Sequence, residues 1–323
     1  MNTLKTISEN PAVLSSHATV KTNPATTLNK TLNSNRPNLK LFLILILFAV
    51  FSSFSYAQKK IYIITDLEGI SGVYRMEQAW VKDSPLNKEA CEFFMADLGA
   101  VIKGLREGGA TDIVVLDGHG DQAIVPRLMV PGATYITGKP KPGPGSLAGL
   151  DSSFAGVVLL GFHAMRGTPD GVLNHTQDVE NRYWYNGVES GELAQNAAIA
   201  GYFGVPVIMA TGDVATCREA AKFFGDKCVT IPVKRGFGRE VAMLYPLEET
   251  GKALFDGARK AMEVISQCKP YILTTPIKVK ELYLSPSPSM SEYMEKRSDS
   301  DYWKSRLKTR EVTLPDAYHL FDY

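Results

Sequence analysis

Four short apolar runs, each broken off by an acid, a histidine or a glycine, constrain this chain more than any other feature. They are "KIYIIT" before Asp66, "DIVVL" before Asp117, "FAGVVLLGF" before His163 and "PVIMATG" before Asp213. Unbroken apolar runs of this length, unlike alternating ones, belong to strands covered on both faces. Helical signatures lie between them. Ser84-Pro85 supplies a cap and a first-turn proline, and the spacing predicts a helix from there to about Glu107, before Gly108-Gly109. Further helices are expected from Gly191 or Glu192 to about Phe203, over Val214–Phe224, and from Pro246 to about Cys268. Strands joined by helical crossovers predict an α/β fold. It is a mostly parallel sheet with helices on both faces, Rossmann-like in three layers, plus a smaller α+β part.

Other elements follow from local chemistry. Ala133–Gly138, Val229–Lys234 and Pro276–Leu284 read as strands, and "KPKPGPGS" (Lys139 to Ser146) reads as a loop. Asn186-Gly187 between aromatic flanks marks a type I′ hairpin over Arg182–Ser190, with Tyr183-Trp184-Tyr185 as its packing face. Ser285–Arg310 reads as a polar segment.

Residues 1–57 are different in kind. A long polar stretch carrying Lys30, Arg36 and Lys40 precedes "LFLILILFAVF" (Leu41 to Phe51) and a small-x-small site at Ser55-Tyr56-Ala57. This is the order of a signal peptide, with cleavage expected near Ala57–Gln58 and export, to a periplasmic location. Eleven residues at ~1.5 Å each cross only about half of a hydrocarbon core, so no stable membrane span is expected after cleavage. The remainder divides, on this reading, into a metal-binding catalytic α/β domain (58–225) and a smaller α+β region (226–323). A formal charge of +1 and the lack of any basic stripe give no case for nucleic acid. The four cysteines, Cys91, Cys217, Cys228 and Cys268, match no zinc-knuckle or CxxC spacing. Buried free thiols are the expected state, with a Cys217–Cys228 bridge as the minor alternative.

The functional signal sits at the strand ends. Open α/β sheets place their sites beyond the carboxyl ends of the strands, and residues i and i+2 of an extended segment point the same way. Asp66 with Glu68, Asp117 with His119, and His163 are therefore delivered toward one edge. His175 follows in a loop, and Glu192 opens a helix, where the dipole favours an acid. Singly, each has an ordinary structural role: a turn cap, a loop or core histidine, a first-turn acid. Together, carboxylates and imidazoles without thiolate suit zinc or manganese in a catalytic site. Five candidate ligands exceed what one zinc needs, which favours two ions ~3.5–4 Å apart bridged by an aspartate.

The motifs "TDLEGISG", "LDGHGD", "LLGFHAMRGTPDGVLNHT", "NGVESGELAQNAAIAGYFGVPVIMATGD" and "VKRGFGREVA" occur in this order between about Lys60 and Met262. In them the chain resembles the zinc-dependent D-aminopeptidases of the dipeptide-transport-operon type, the DppA-like metallopeptidases. The resemblance implies two zinc ions per subunit, with Asp66 as the bridge. It implies Glu68 and His163 on one ion, His119 and Glu192 on the other, and His175 as the catalytic residue. Chemistry favours proton transfer or oxyanion stabilisation for His175, because a metal-bound hydroxide is already the nucleophile. The resemblance further implies short peptide substrates with a free amino terminus, D-residues included, and a ring-shaped homo-oligomer, a decamer. The tail after about Pro270 departs from the pattern, as does the export signal. Two rivals remain at this stage. One is another two-metal hydrolase of amides or phosphoesters, using Arg166, Lys234 or Arg235 as a clamp. The other is a non-catalytic peptide-binding surface protein.

Overall fold

A computed structural model describes residues 58–120, 123–296 and 299–322. The expected signal segment, 1–57, lies outside the described residues. Along the chain run β1 (Lys60–Thr65), α1 (Met76–Trp80), α2 (Pro85–Glu107), β2 (Asp112–Asp117), β3 (Thr134–Ile136) and β4 (Gly156–Leu160). The hairpin strands β5 (Arg182–Tyr185) and β6 (Val188–Ser190) come next, then α3 (Glu192–Tyr202), β7 (Val207–Asp213) and α4 (Val214–Phe224). The chain continues through β8 (Val229–Gly238), β9 (Val241–Leu244), α5 (Leu247–Val264), β10 (Ile277–Leu284), α6 (Met290–Lys296), α7 (Ser300–Arg306) and β11 (Leu307–Leu314). The α2 start is as its sequence dictates: Ser84 Oγ accepts from Asn87 N–H at 3.1 Å, with Pro85 in the first turn.

A seven-stranded sheet in the order β3-β2-β1-β4-β7-β8-β9 forms the frame, parallel throughout except for β9. β4 and β7 are buried along their whole lengths, which is why they read as unbroken apolar runs. On one face α2 and α5 cover Ile61, Ile63, Val115 and Val158; on the other, α3 packs over Tyr62, Ile64, Leu159 and Val207. The strand order reverses between β1 and β4. From β1 the chain moves outward through β2 and β3, then returns to β1's other side. Such a switch point opens a crevice at the carboxyl ends of the two strands that flank it.

A second, antiparallel sheet runs β11-β10-β5-β6. The hairpin has the expected I′ signature, with Asn186 at φ 50° and Gly187 at φ 83°. The division expected at residue 225 does not follow the sheets. β8, β9 and α5, from beyond it, complete the main sheet and its cover, while β5 and β6, from before it, join the second sheet. The polar segment Ser285–Arg310 holds α6 and α7. Trp303, 3% exposed, is the buried anchor that a count of polar residues overlooks. All four cysteines are free, three of them buried. Among the described residues no helix is long and apolar enough to cross a membrane.

Candidate metal centre

The crevice between β1 and β4 is where the candidate residues meet. Past the end of β1 the chain stays paired to β4's extension: Asp66 N–H donates to Leu160 O at 2.8 Å and Gly69 N–H to Gly161 O at 2.7 Å. A Cβ on Gly69 would stand 1.8 Å from the Phe162 carbonyl oxygen, so only glycine lets the two segments approach this closely. Close approach, more than the tight turn, is the reason for that glycine. Asp66 and Glu68 thereby project together, beside His119 after β2, His163 after β4, Glu192 at the head of α3 and His175 on the β4–β5 loop. Asp66, Glu68, His163 and His175 are all below 8% exposed.

Asp66 uses its two oxygens in opposite directions. Oδ1 lies 3.0 Å from His119 Nδ1, and Oδ2 lies 3.3 Å from His163 Nε2. His119 Nδ1 is also 3.0 Å from Glu68 Oε2, while Glu192 Oε1 is 3.5 Å from His163 Nε2 and 3.7 Å from His175 Nε2. Two groups able to hold a metal result, Asp66 with Glu68 and His119, and His163 with His175 and Glu192, and Asp66 Oδ2 reaches from the first to His163 of the second. Besides Asp66, the carboxylate beside His119 is Glu68 and the one beside His163 is Glu192.

The imidazoles show why these groups fit a metal. His119 Nε2 lies 2.8 Å from Ala79 O, His163 Nδ1 3.0 Å from Ala164 O, and His175 Nδ1 2.8 Å from Leu173 O. A carbonyl only accepts, so these outer nitrogens carry protons, and the inner ones face the carboxylates, where a cation could take the place of a proton. Histidines that ligate metals are held in this way, through the nitrogen that does not ligate. Lone pairs turned toward carboxylate oxygens repel unless positive charge sits between them. Glu68 Oε2 and His163 Nε2 are buried and make no hydrogen bond of acceptable angle. Three carboxylates and three imidazoles without thiolate are a donor set for zinc.

The titration directions report the same shortage of positive charge. Burial, with Glu68 alongside, pushes Asp66 up to about 7. Burial alone would lower His119 and His163; the carboxylates outweigh it, holding His119 well above its ordinary value and His163 at about 10. His175 goes the other way. Burial and then the neighbouring His163 push it down to about 4. It stacks on His163 at 3.8 Å and meets the edge of Trp80 at 5.2 Å.

The Peptidase_M55 family profile, described as D-aminopeptidase, matches residues 59–296. The D-aminopeptidase of Bacillus subtilis (strain 168) is 32% identical over 221 residues, 67% of this chain and 78% of that protein. The chain belongs to this family. It is a metallo-aminopeptidase in class. Among solved structures, the Zn-dependent D-aminopeptidase DppA from Bacillus subtilis, described as a self-compartmentalizing protease, superposes with a TM-score of 0.70 at 24% identity. The match covers 81% of this chain and 94% of that one, and it is a likeness of fold.

In this family member a ring of buried polar groups holds the ligand-bearing loops, and sequence reading found only part of it. Lys234, wholly buried on β8, donates to Glu68 O at 2.6 Å, to Ile70 O at 2.8 Å and to Val73 O. It clamps the turn after β1, and is not a phosphate clamp. Asp97 accepts from Ser71 N–H in the same turn at 2.9 Å. Asp117 holds the His119 loop through Ala123 and Ile124 N–H. Asp213 accepts from Val172 N–H at 2.6 Å, and Glu219 from Met165 N–H at 3.0 Å, bracketing the loop from His163 to His175. Trp80 Nε1 donates to Glu68 Oε1 at 2.6 Å. No sequence pattern marks Trp80; a lysine inside the strand "VTIPVKRGFG" was the available signal for Lys234. Of the other clamp candidates, Arg166 is bound to Glu180 at 2.5 Å, and Arg235 is exposed on β8.

Two recesses flank the cluster. One, of about 340 Å³, is lined by Glu68, Trp80, His119 and His175; the other, of about 660 Å³, opens from Asp66 and Glu192.

Proposed function

We propose that this chain is a zinc aminopeptidase that holds two zinc ions per subunit and hydrolyses the amino-terminal bond of short peptides, D-amino-acid peptides among them. The observation that carries it is the three imidazoles, each anchored by one nitrogen to a carbonyl and turned by the other toward Asp66, Glu68 or Glu192. Asp66 would bridge, with Glu68, His119, His163 and Glu192 completing the two sets. Zinc bound there supplies a Lewis acid for the peptide carbonyl and lowers the pKa of water toward ~7.

The chain's own residues do the rest. His175, neutral at pH 7, keeps its proton on Nδ1 and offers Nε2 toward the reacting groups. With Nδ1 held by the Leu173 carbonyl, Nε2 is the nitrogen that can accept a proton during attack and return it to the departing amine. The stacked His163 and the Trp80 edge fix its ring plane. The test is elemental analysis together with a matched panel of L- and D-dipeptides. Two zincs per chain and release of the first residue are expected; absence of bound zinc, or of any peptide cleavage, overturns the reading. His175→Ala should keep its zinc while kcat falls by ~10²–10⁴. An unchanged kcat removes His175 from catalysis.

We also propose export with a mature chain beginning at Gln58, and self-association into a ring. The order of basic, apolar and small residues before Gln58 supports the first. The self-compartmentalizing structural neighbour supports the second, as does an exposed apolar edge of Phe237, Val241, Met243 and Leu247 beside the edge strand β9. Protein purified from its natural source should start at Gln58 by mass and sediment as an oligomer. An intact Met1 defeats the export proposal, and a monomer defeats the ring.

A further inference from the structure

We infer that the tail of this chain builds the wall of a substrate side-chain pocket, with Phe321 as the residue that sets its size. The inference rests on the aminopeptidase reading and adds the substrate class. The recess of about 660 Å³ beginning at Asp66 and Glu192 is of the volume that encloses small ligands. Its floor is apolar: Ile64 and Leu116 at the ends of β1 and β2, with Leu147 and Phe162, each no more than 2% exposed. Asp117, Lys139 and Lys141 also line the recess; Lys141 is tied to the Gly120 carbonyl, and Asp117 accepts from Thr137 and the backbone beside it. Phe321 closes the far side.

The tail is held where it can do this. After β11 it makes a short 3-10 turn, Ala317–His319, whose Asp316 side chain accepts from Tyr318 N–H. Ala317 and Leu320 are then buried in the same apolar layer as Ile64, Leu147 and α3. Gly145, at φ +55°, lies directly under the Phe321 ring; a Cβ there would come within 2.7 Å of it. Phe321 itself is only partly buried and lines the recess. These residues lie beyond the stretch that the family profile matches, residues 59–296.

A peptide whose first carbonyl sits beside Asp66 and Glu192 would place a neighbouring side chain on this floor. An uncharged side chain of leucine or methionine size gains from burial there, and a methyl group leaves most of it unfilled. The chemical class is therefore a short peptide led by a medium apolar residue.

The experiment compares kcat/KM for Ala-, Leu- and Lys-led dipeptides, in both enantiomers, on wild type, Phe321→Ala and Phe321→Trp. Wild type should favour Leu over Ala by at least about 10-fold, and Lys should be poorest. Phe321→Ala should cut the Leu preference about 10-fold, with zinc content held within about 2-fold. Phe321→Trp should lower Leu-led turnover more than Ala-led turnover. Equal changes on all substrates, or none, overturn the pocket. Calorimetric titration with leucine and alanine hydroxamates separates the two readings. If wild type cleaves no peptide but binds leucine hydroxamate more tightly, and Phe321→Ala erases that difference, the pocket stands and the hydrolytic reading falls. If neither hydroxamate is preferred, the pocket falls as well.

Discussion

Replacing Asp66 by alanine is expected to strip zinc from the site and to lower kcat by at least about 10³-fold. The reason is geometric. Oδ1 and Oδ2 reach His119 and His163 separately, so Asp66 links the group of Glu68 and His119 to that of His163, His175 and Glu192. Without it, Glu68 with His119 and Glu192 with His163 become two incomplete pairs. Trimming a neighbour that merely orients a ligand costs ~10–100-fold in affinity; removing the shared ligand costs more. Zinc content by elemental analysis, hydrolysis of the best dipeptide and the melting temperature with and without chelator are the three readouts. Wild type should lose melting temperature when zinc is chelated, because the ion binds only the folded state. Asp66→Ala should show no such shift. Near-wild-type turnover in that variant would refute the assignment.

Lys234→Met should destabilise the fold by about 3–5 kcal/mol, as expected when one partner of a buried charge network is removed. Its ammonium serves three backbone carbonyls of the turn that carries Glu68, and the thioether serves none of them. Each abandoned carbonyl costs about 1–3 kcal/mol. Asp213 and Asp97, whose charges oppose the effect of burial on Lys234, would lose their counter-ion too. Methionine fills much of the same volume, so the loss is polar and not a cavity. Urea unfolding of the zinc-free proteins measures it. A difference below about 1 kcal/mol would show that the turn stands without its lysine.

Strand ends and ligand types were legible because they are local. Five apolar or β-branched residues running into Asp66 declare both a buried strand and its end, and the i, i+2 rule puts Glu68 on the same side. The helix over Pro85–Glu107 was legible from its cap and from the glycines beyond it. The second sheet was half legible. The Asn186-Gly187 turn marks the hairpin, but its pairing with β10, ninety residues on, has no local sign. β11, reading "LKTREVTL", was missed because its apolar positions are too few to stand out once one face is solvent-exposed.

The sequence by itself determined which atoms are available: the three carboxylates, the three imidazoles and the glycines that let backbones touch. Tertiary structure alone decided that these atoms converge. It put β4 beside β1 instead of beside β3, so that His163 faces Asp66 across a switch point. It also chose which carbonyl each imidazole leans on, which lysine lies beneath Glu68 and which aromatic ring ends the recess. Those choices arise from packing between segments far apart in the chain. Such contacts depend on strand order and on the closeness of backbones, and neither is a property of any short stretch.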